Sequence, residues 1–136
     1  MDIFGTLMQG LPVLIGQFAA TLGLLGIGLA CYTALTPFHE QTLVRDGNVA
    51  GGIVVFGTFM ALAIPLAANL ASSVLILDIV LWGLVALAIQ LLTFMAATAL
   101  IRGLREMIEG GNVAAALVLI GIQIAVALLN AGAMAG

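Results

Sequence analysis

Four long apolar stretches constrain this chain more than any other feature of its sequence. They run roughly from Leu11 to Leu35, Val49 to Leu70, Ile76 to Ile101 and Val113 to Met134. A helix rises about 1.5 Å per residue, so about 20 apolar residues cross the hydrocarbon core of a bilayer, which is about 30 Å thick. Each stretch reaches that length. The sequence therefore predicts an all-α integral membrane protein with four transmembrane helices.

The composition favours lipid over water as the surroundings of these helices. Of the 136 residues, 64% are hydrophobic and only 7% are charged, whereas about 25% of residues are charged in a soluble domain. A hydrophobic subunit buried in a larger soluble complex fits this composition less well. No basic run is present to bind nucleic acid, and the single cysteine, Cys31, excludes an internal disulfide and a cysteine-rich metal site. The lipid bilayer is the partner that the composition predicts.

The first apolar stretch has the length of a span and not of a signal peptide. No Lys or Arg precedes it, and it is longer than the apolar core of a secretory signal. We therefore interpret it as a retained transmembrane helix.

The breaks between the four stretches differ in charge. The middle break, around Ser72 and Ser73, is short and uncharged as far as Asp78, whereas the first and third breaks hold nearly all the charged residues. In the first break, Thr36 followed by Pro37 predicts the start of a short helix, because proline is tolerated at the first helical position.

Both charged breaks carry the signals of a short amphipathic helix at the membrane surface. Each ends in glycine followed by asparagine, which predicts a helix stop and then a cap for the next span: Gly47-Asn48 and Gly111-Asn112. In the third break, two pairs of opposite charge stand four residues apart, in helical register for ion pairs: Arg102–Glu106 and Arg105–Glu109.

The arginines predict the orientation. All three, Arg45, Arg102 and Arg105, lie in the charged breaks. Cytoplasmic loops carry an excess of positive charge, so both breaks are predicted to be cytoplasmic and both termini to be outside. Tyr32 and Trp82 stand near the ends of spans, where we expect them to be interfacial anchors.

The two halves of the chain resemble each other. A shift of 64 positions aligns Gly47-Asn-Val-Ala50 with Gly111-Asn-Val-Ala114 and gives 10 identities between positions 47 and 71. We predict two tandem helical hairpins, residues 1–72 and 73–136. Because each unit has two spans, both units enter the membrane in the same direction, and the repeat is parallel.

Several motifs resemble a bacterial inner-membrane family known as domain of unknown function 350. The matching pieces are spread over most of the chain: Thr36-Pro-Phe-His-Glu40, Asp46-Gly-Asn-Val-Ala50, Ile64-Pro-Leu66, Asp78 with Trp82-Gly83, Glu109-Gly-Gly-Asn-Val-Ala-Ala115 and Leu129-Asn-Ala131. The resemblance implies a plasma-membrane protein of four spans built from tandem two-span hairpins. It implies no activity, substrate or cofactor.

Five amide side chains lie within the predicted spans: Gln17, Asn69, Gln90, Gln123 and Asn130. An unsatisfied amide is costly in hydrocarbon, so each should face another helix. Gln90 and Gln123 stand at similar depth and are predicted to bond to each other. These amides either join helices or line a permeation path. Pro65 frees backbone carbonyls at the depth of Gln17, Asn69 and Asn130, which predicts a packing kink or an outer polar pocket.

The other polar candidates lie at the cytoplasmic corners: His39, Glu40, Arg45, Asn48, Arg102, Arg105, Glu106, Glu109 and Asn112. One histidine with scattered carboxylates is too generic for a metal site, so capping and surface ion pairs explain them better. We find no catalytic constellation and no cofactor motif, and we expect no enzyme. No carboxylate falls in the middle of a span, which argues against a proton-coupled transporter.

Two classes of function remain, and the absence of a charged residue at mid-membrane favours the first over the second. The first is a non-enzymatic membrane assembly or scaffold component whose corners bind a peripheral cytoplasmic partner. The second is a small homo-oligomeric channel or transporter with an amide-lined path, which a dry core without a continuous cavity would contradict. Pairs of small residues four apart, such as Gly26/Ala30 and Gly57/Ala61, would permit close helix packing and self-association.

Overall fold

The computed structural model describes residues 2–36 and 39–135, which form four long helices and two short ones. In chain order they are α1 (Ile3–Leu35), α2 (Glu40–Arg45), α3 (Val49–Ser72), α4 (Ile76–Leu100), α5 (Leu104–Glu109) and α6 (Val113–Ala135). The four long helices, α1, α3, α4 and α6, are long and apolar enough to cross a membrane. The predicted all-α fold with four spans is confirmed.

The helix boundaries at the two charged corners follow the predicted glycine and asparagine signals. Gly47 and Gly111 have φ values of 78° and 84°, a left-handed conformation that suits glycine and ends a helix. Asn48 then accepts a hydrogen bond from the backbone N–H of Gly51 at 3.0 Å. Asn112 accepts one from Ala115 at 3.1 Å. These local contacts fix where α3 and α6 begin.

Two predicted boundaries were wrong. The first span begins at Ile3 and not at Leu11, because the Asp2 side chain accepts a hydrogen bond from the N–H of Gly5 at 2.7 Å and caps the longer helix. Thr36 does not start the next helix. It is the C-terminal cap of α1, and α2 begins at Glu40. Pro37, the predicted first helical residue, lies outside the described residues.

The four long helices form a bundle in which α1 contacts α3 and α4, and α6 contacts α3 and α4. The most extensive contact is between α3 and α6. The two long helices of each predicted hairpin, α1 with α3 and α4 with α6, therefore contact each other. This arrangement is consistent with two tandem hairpins, while the parallel repeat with units 1–72 and 73–136 stays a prediction.

Glycines mark the places where helices approach most closely. A Cβ on Gly28 of α1 would lie 2.6 Å from Cδ2 of Leu87 on α4, and one on Gly83 of α4 would lie 2.5 Å from Cδ1 of Leu24 on α1. A Cβ on Gly57 of α3 would overlap Ile120 of α6. These positions are thus confined to glycine by packing between helices.

Small residues on the opposite side of α1 make no such approach. They face outward and are exposed: Ala19, Gly23, Gly26 and Ala30. The pair Gly26/Ala30 therefore does not serve packing within the bundle. Self-association through it stays a prediction.

The outer surface of the bundle is apolar. Large side chains such as Phe18, Phe56 and Leu92 are more than half exposed, at 55%, 64% and 64%. A monomeric soluble protein rarely exposes so much contiguous apolar surface. Lipid would cover this surface, as the composition predicts.

Candidate functional site

Five polar side chains are buried in the interior of the bundle, where apolar side chains would be expected. They are Thr58 at 3% exposure, Asn69 at 2%, Gln90 at 3%, Gln123 at 2% and Asn130 at 6%. Four of them are amides that the sequence singled out. Thr58 was missed, because a threonine can satisfy its hydroxyl within its own helix and carries no pattern of its own.

Three of these side chains are joined from helix to helix. Asn130 of α6 donates from Nδ2 to Oε1 of Gln90 at 3.3 Å. Gln90 of α4 donates from Nε2 to the backbone carbonyl of Gln123 at 3.2 Å. Gln90 and Gln123 are therefore in contact as predicted, although the bond reaches the backbone of Gln123 and not its amide.

Thr58 extends this series to α3. Its Oγ1 donates to the carbonyl of Val54 at 2.7 Å and lies 3.4 Å from Oε1 of Gln123, at the long limit of a hydrogen bond. We call Asn130, Gln90, Gln123 and Thr58 the polar chain.

A pocket of about 540 Å³ opens at the Asn130 end of the polar chain, which the distribution of arginines predicts to face outward. It lies near the α3–α4 loop and the end of α6, and its polar lining residues are Asn69, Ser72, Ser73, Asp78 and Asn130, with Trp82 beside them. Asn69 is held in place, since it donates to the carbonyl of Ile79 at 2.8 Å and accepts from Ser73 at 3.0 Å. The volume lies in the range of small-molecule sites, about 300–1,000 Å³.

This pocket shares only Asn69 and Asn130 with the outer pocket that the sequence offered as the alternative to a packing kink at Pro65. Gln17 is not among its lining residues. It donates to the carbonyl of Val74 at 2.8 Å and ties α1 to the α3–α4 loop. Pro65 is buried within α3 and is likewise not a lining residue.

A small cavity lies on the inner side of Gln90. About 10 Å³ of it is open to the centre of a water molecule, which is close to the minimum for one bound water, about 10–15 Å³. Its polar lining residues are Tyr32, Thr58, Gln90 and Gln123. The Tyr32 hydroxyl and Nε2 of Gln123 are both fully buried and have no hydrogen-bond partner among the described residues. A single water here would satisfy groups that are costly to leave unpaired.

Tyr32 corrects a prediction. It is not an interfacial anchor but a core residue at 3% exposure, and its ring packs edge-on against Phe94 with centroids 4.6 Å apart. The sequence held a signal for this, because Leu24, Gly28 and Tyr32 stand at four-residue intervals on one face of α1, and all three are buried. Trp82, at 57% exposure, remains on the surface of the bundle.

Glu40 lies at the inner end of the series. The sequence placed it among exposed corner residues, but its Oε1 is fully buried and has no hydrogen-bond partner among the described residues. The carboxyl group lies beside the hydroxyls of Tyr32 and Thr36, outside good hydrogen-bond geometry. Burial raises the pKa of Glu40 above its ordinary value, and these two hydroxyls partly offset the rise.

Polar groups therefore follow one another from the outer pocket to Glu40. Asn130 lines the pocket, Gln90 lines the small cavity, and a hydrogen bond joins these two side chains. Tyr32 lines the same cavity and places its hydroxyl beside both Thr58 and Glu40. Such an arrangement can exchange hydrogen bonds along its length, but its packing leaves no continuous opening among the residues described.

The remaining corner residues lie on the surface near the ends of the spans. The exposed ones are His39, Arg45, Arg102, Arg105, Glu106, Glu109 and Asn112. Within the described ranges, no cluster of three His, Cys, Asp or Glu side chains fit to hold a metal ion occurs.

Only one of the two predicted ion pairs forms. Arg105 donates to Glu109 at 3.0 Å, four residues along α5. The prediction of an Arg102–Glu106 pair was wrong. Gly103 adopts a φ of 69°, so Arg102 lies in the turn before α5 and outside helical register with Glu106. Arg102 and Glu106 form no ion pair within residues 2–36 and 39–135.

Asn48 joins the two corners. Besides capping α3, it donates from Nδ2 to the carbonyls of Ile108 at 2.9 Å and Glu109 at 3.1 Å. Ile108 and Leu104 are buried at 0% and 3% exposure. The short helix α5 is therefore anchored to the bundle, while its charged side chains point away.

An all-α bundle of four apolar spans around buried amides defines an integral, multi-pass membrane protein. Residues 6–134 match the profile of the family described as Domain of Unknown Function (DUF350), and the chain belongs to that family. It is similar to the UPF0719 inner membrane protein YjfL of Escherichia coli K12, with 33% identity over 108 residues that cover 79% of this chain and 82% of the relative. The protein of the same name from Escherichia coli O157:H7 matches to the same extent. No solved structure matches the chain.

Proposed function

We propose that this protein is a gated channel or transporter for small polar solutes or ions, and that the route runs along the polar chain within one bundle. The observation that carries the proposal is the succession of polar groups from the outer pocket, through Asn130 and Gln90, to the small cavity and Glu40, of which the last groups are near one another but not hydrogen-bonded. The bundle has no continuous opening among the described residues, which excludes a permanently open pore. Its core is nevertheless polar and not dry, so on this proposal the packed conformation is the closed state. Opening requires the Asn130–Gln90 contact to separate.

Packing alone is a weak reason for these amides. A hydrogen bond between transmembrane helices contributes about 0.6 kcal/mol on average, and an apolar side chain of similar size would fill the same space. Nε2 of Gln123 has no partner among the described residues, which costs stability. Polar groups kept at membrane depth despite such a cost are typical of solute and ion pathways.

Glu40 adds a carboxyl group at one end of the route. It belongs to α2, between the spans, so the observation that no carboxylate falls in the middle of a span still holds. Its Oε1 is nevertheless fully buried beside Tyr32. Ionisable groups in contact with the interior of a membrane protein often mark an ion pathway.

We expect Gln90→Leu to lower solute flux at least about tenfold, since an apolar side chain would interrupt the route between pocket and cavity. The measurement uses purified protein in proteoliposomes with gradients of protons, potassium or urea. Gln9→Leu is the matched control, because Gln9 is exposed on α1 and is not part of the polar chain. Circular dichroism and gel filtration check that both variants fold. Wild-type vesicles as tight as empty ones to all three solutes, under voltage and pH steps, would exclude the proposal.

A second candidate function is a membrane assembly component, and the Asn48 contact favours it. Asn48 fixes α5 against α3 through two carbonyls, and Leu104 and Ile108 are buried beneath it. A rigid short helix with exposed charges of both signs, facing the cytoplasm by the arginine rule, suits a peripheral partner of complementary charge.

We expect a photo-crosslinking residue at Met107 to form one defined adduct in cells. Reversing the charges of Arg102, Arg105, Glu106 and Glu109 should remove that adduct without changing membrane insertion. The partner identified from the adduct should also bind the purified wild-type protein in detergent. A crosslinker at Leu92, which is exposed on the bundle surface, serves as the control. Equal adducts from both positions, or persistence after charge reversal, would contradict a docking role.

A further inference from the structure

We propose that the species carried along the polar chain is a small cation, a proton or a monovalent metal ion, and that Glu40 receives it at the inner end. This inference rests on the proposed function and names its substrate class. It rests on the charges at the two ends of the route, the chemistry between them and the size of the cavity.

Both ends of the route carry a carboxyl group. Asp78 lines the outer pocket beside Trp82, and Glu40 has a buried oxygen beside Tyr32 at the other end. Negative groups at a pore mouth raise the local concentration of cations and repel anions.

The groups between these ends offer oxygen atoms to a cation. They include the amide oxygens of Gln90 and Gln123 and the hydroxyls of Thr58 and Tyr32. Hard cations bind carboxylate, amide and hydroxyl oxygens. All three arginines are exposed at the corners and lie off the route, so an anion would meet no fixed positive charge.

The cavity sets the size of the species. Only about 10 Å³ beside Gln90 is open to the centre of a water molecule. Tyr32 and Phe94, whose ring centroids are 4.6 Å apart, are among the residues that line it. A proton moved through one water, or a bare monovalent ion, fits this space without large rearrangement, whereas an organic cation does not.

Glu40 has the environment of an acceptor and not of a structural ion. Residues that face it are hydroxyl-bearing: Tyr32 and Thr36 at the end of α1, with Thr58 of α3 behind Tyr32. No arginine is paired with it among the described residues. Glu40 is half-buried, and one of its carboxyl oxygens, Oε1, is fully buried. A carboxylate oxygen in such a position without a counter-ion favours a bound cation or a proton, and the raised pKa of Glu40 agrees with this.

Proteoliposomes with four separate gradients test the inference: protons, potassium, chloride and urea. We expect proton or potassium flux in the wild type and no chloride flux. Glu40→Gln should lower the cation flux about tenfold or more and leave any urea flux unchanged. Asp46→Asn is the matched control, since Asp46 is an exposed carboxylate at the end of α2, the same short helix that carries Glu40. The proton and potassium arms distinguish the two cations.

Glu40→Asp keeps the carboxyl group and serves as a control for a folding defect in Glu40→Gln. It should retain more cation flux than Glu40→Gln at equal amounts of folded protein. Chloride flux in the wild type, or cation flux that is equal in wild type and Glu40→Gln, would overturn this inference. If urea passes and cations do not, the pathway stands and the cation assignment fails. If nothing passes, both fail.

Discussion

Gly57→Ala should lower the melting temperature of the detergent-solubilised protein by about 5–10 °C, which corresponds to about 1–3 kcal/mol for an overpacked core. Gly57 lies at the crossing of α3 and α6, which is the most extensive contact in the bundle. A Cβ there would overlap Cγ1, Cγ2 and Cδ1 of Ile120. Three atoms of one branched side chain cannot all move aside by a change of rotamer, so the helices themselves must separate.

The chain supplies a matched control at the equivalent position of the sequence repeat. Gly121 lies 64 residues after Gly57, on α6, and a Cβ there would meet no atom within 4 Å. Gly121→Ala should leave the melting temperature unchanged or raise it slightly, because alanine favours a helix over glycine by about 1 kcal/mol. Thermal melts of both variants by circular dichroism make the comparison. Equal melting temperatures for the two variants would show that the α3–α6 crossing is looser than described.

Asn48→Ala should destabilise the protein by about 2–4 kcal/mol and release α5 from the bundle. The substitution removes the cap on Gly51 and leaves the carbonyls of Ile108 and Glu109 without their side-chain donor. The cap accounts for about 1 kcal/mol, and the two carbonyls account for the rest. Hydrogen exchange should therefore become faster in residues 104–112 before any other segment.

Asn112 provides the comparison, because it occupies the equivalent corner and its side chain makes only the cap contact with Ala115 among the described residues. Asn112→Ala should cost only about 1 kcal/mol. Hydrogen exchange followed by mass spectrometry measures both variants. Similar protection of α5 in the two would mean that the buried Leu104 and Ile108 hold it without help from Asn48.

Much of the fold could be predicted from local properties. Residues such as Gly47, Asn48, Gly111 and Asn112 act on their own neighbours, so their conformations follow from the sequence around them. The start of α1 was missed because the Asp2 cap stands before residues that look like a tail. The Arg102–Glu106 pair failed because Gly103 breaks helical register, a choice between two local conformations that spacing cannot decide.

Part of the candidate site followed from one general rule, that amides avoid hydrocarbon. The rule placed Asn69, Gln90, Gln123 and Asn130 in the interior, and all four are buried. It did not separate them from Gln17, which satisfies its amide at the α3–α4 loop instead. Which carbonyl each amide reaches depends on the rotation of neighbouring helices, which single-helix patterns leave open.

The sequence by itself determined the four membrane-crossing helices and their glycine–asparagine corners, because span length, apolarity and capping are properties of adjacent residues. The four-residue spacing of Leu24, Gly28 and Tyr32 hinted at a core position for Tyr32, but only the tertiary structure decided that Tyr32 lies in the core beside Phe94, that Thr58 continues the polar chain and that one carboxyl oxygen of Glu40 is buried at the end of that chain. Tyr32, Thr58 and Glu40 belong to α1, α3 and α2. Their hydroxyl and carboxyl groups come together only when the bundle packs, since burial of a side chain is set by its neighbours in space and not along the chain.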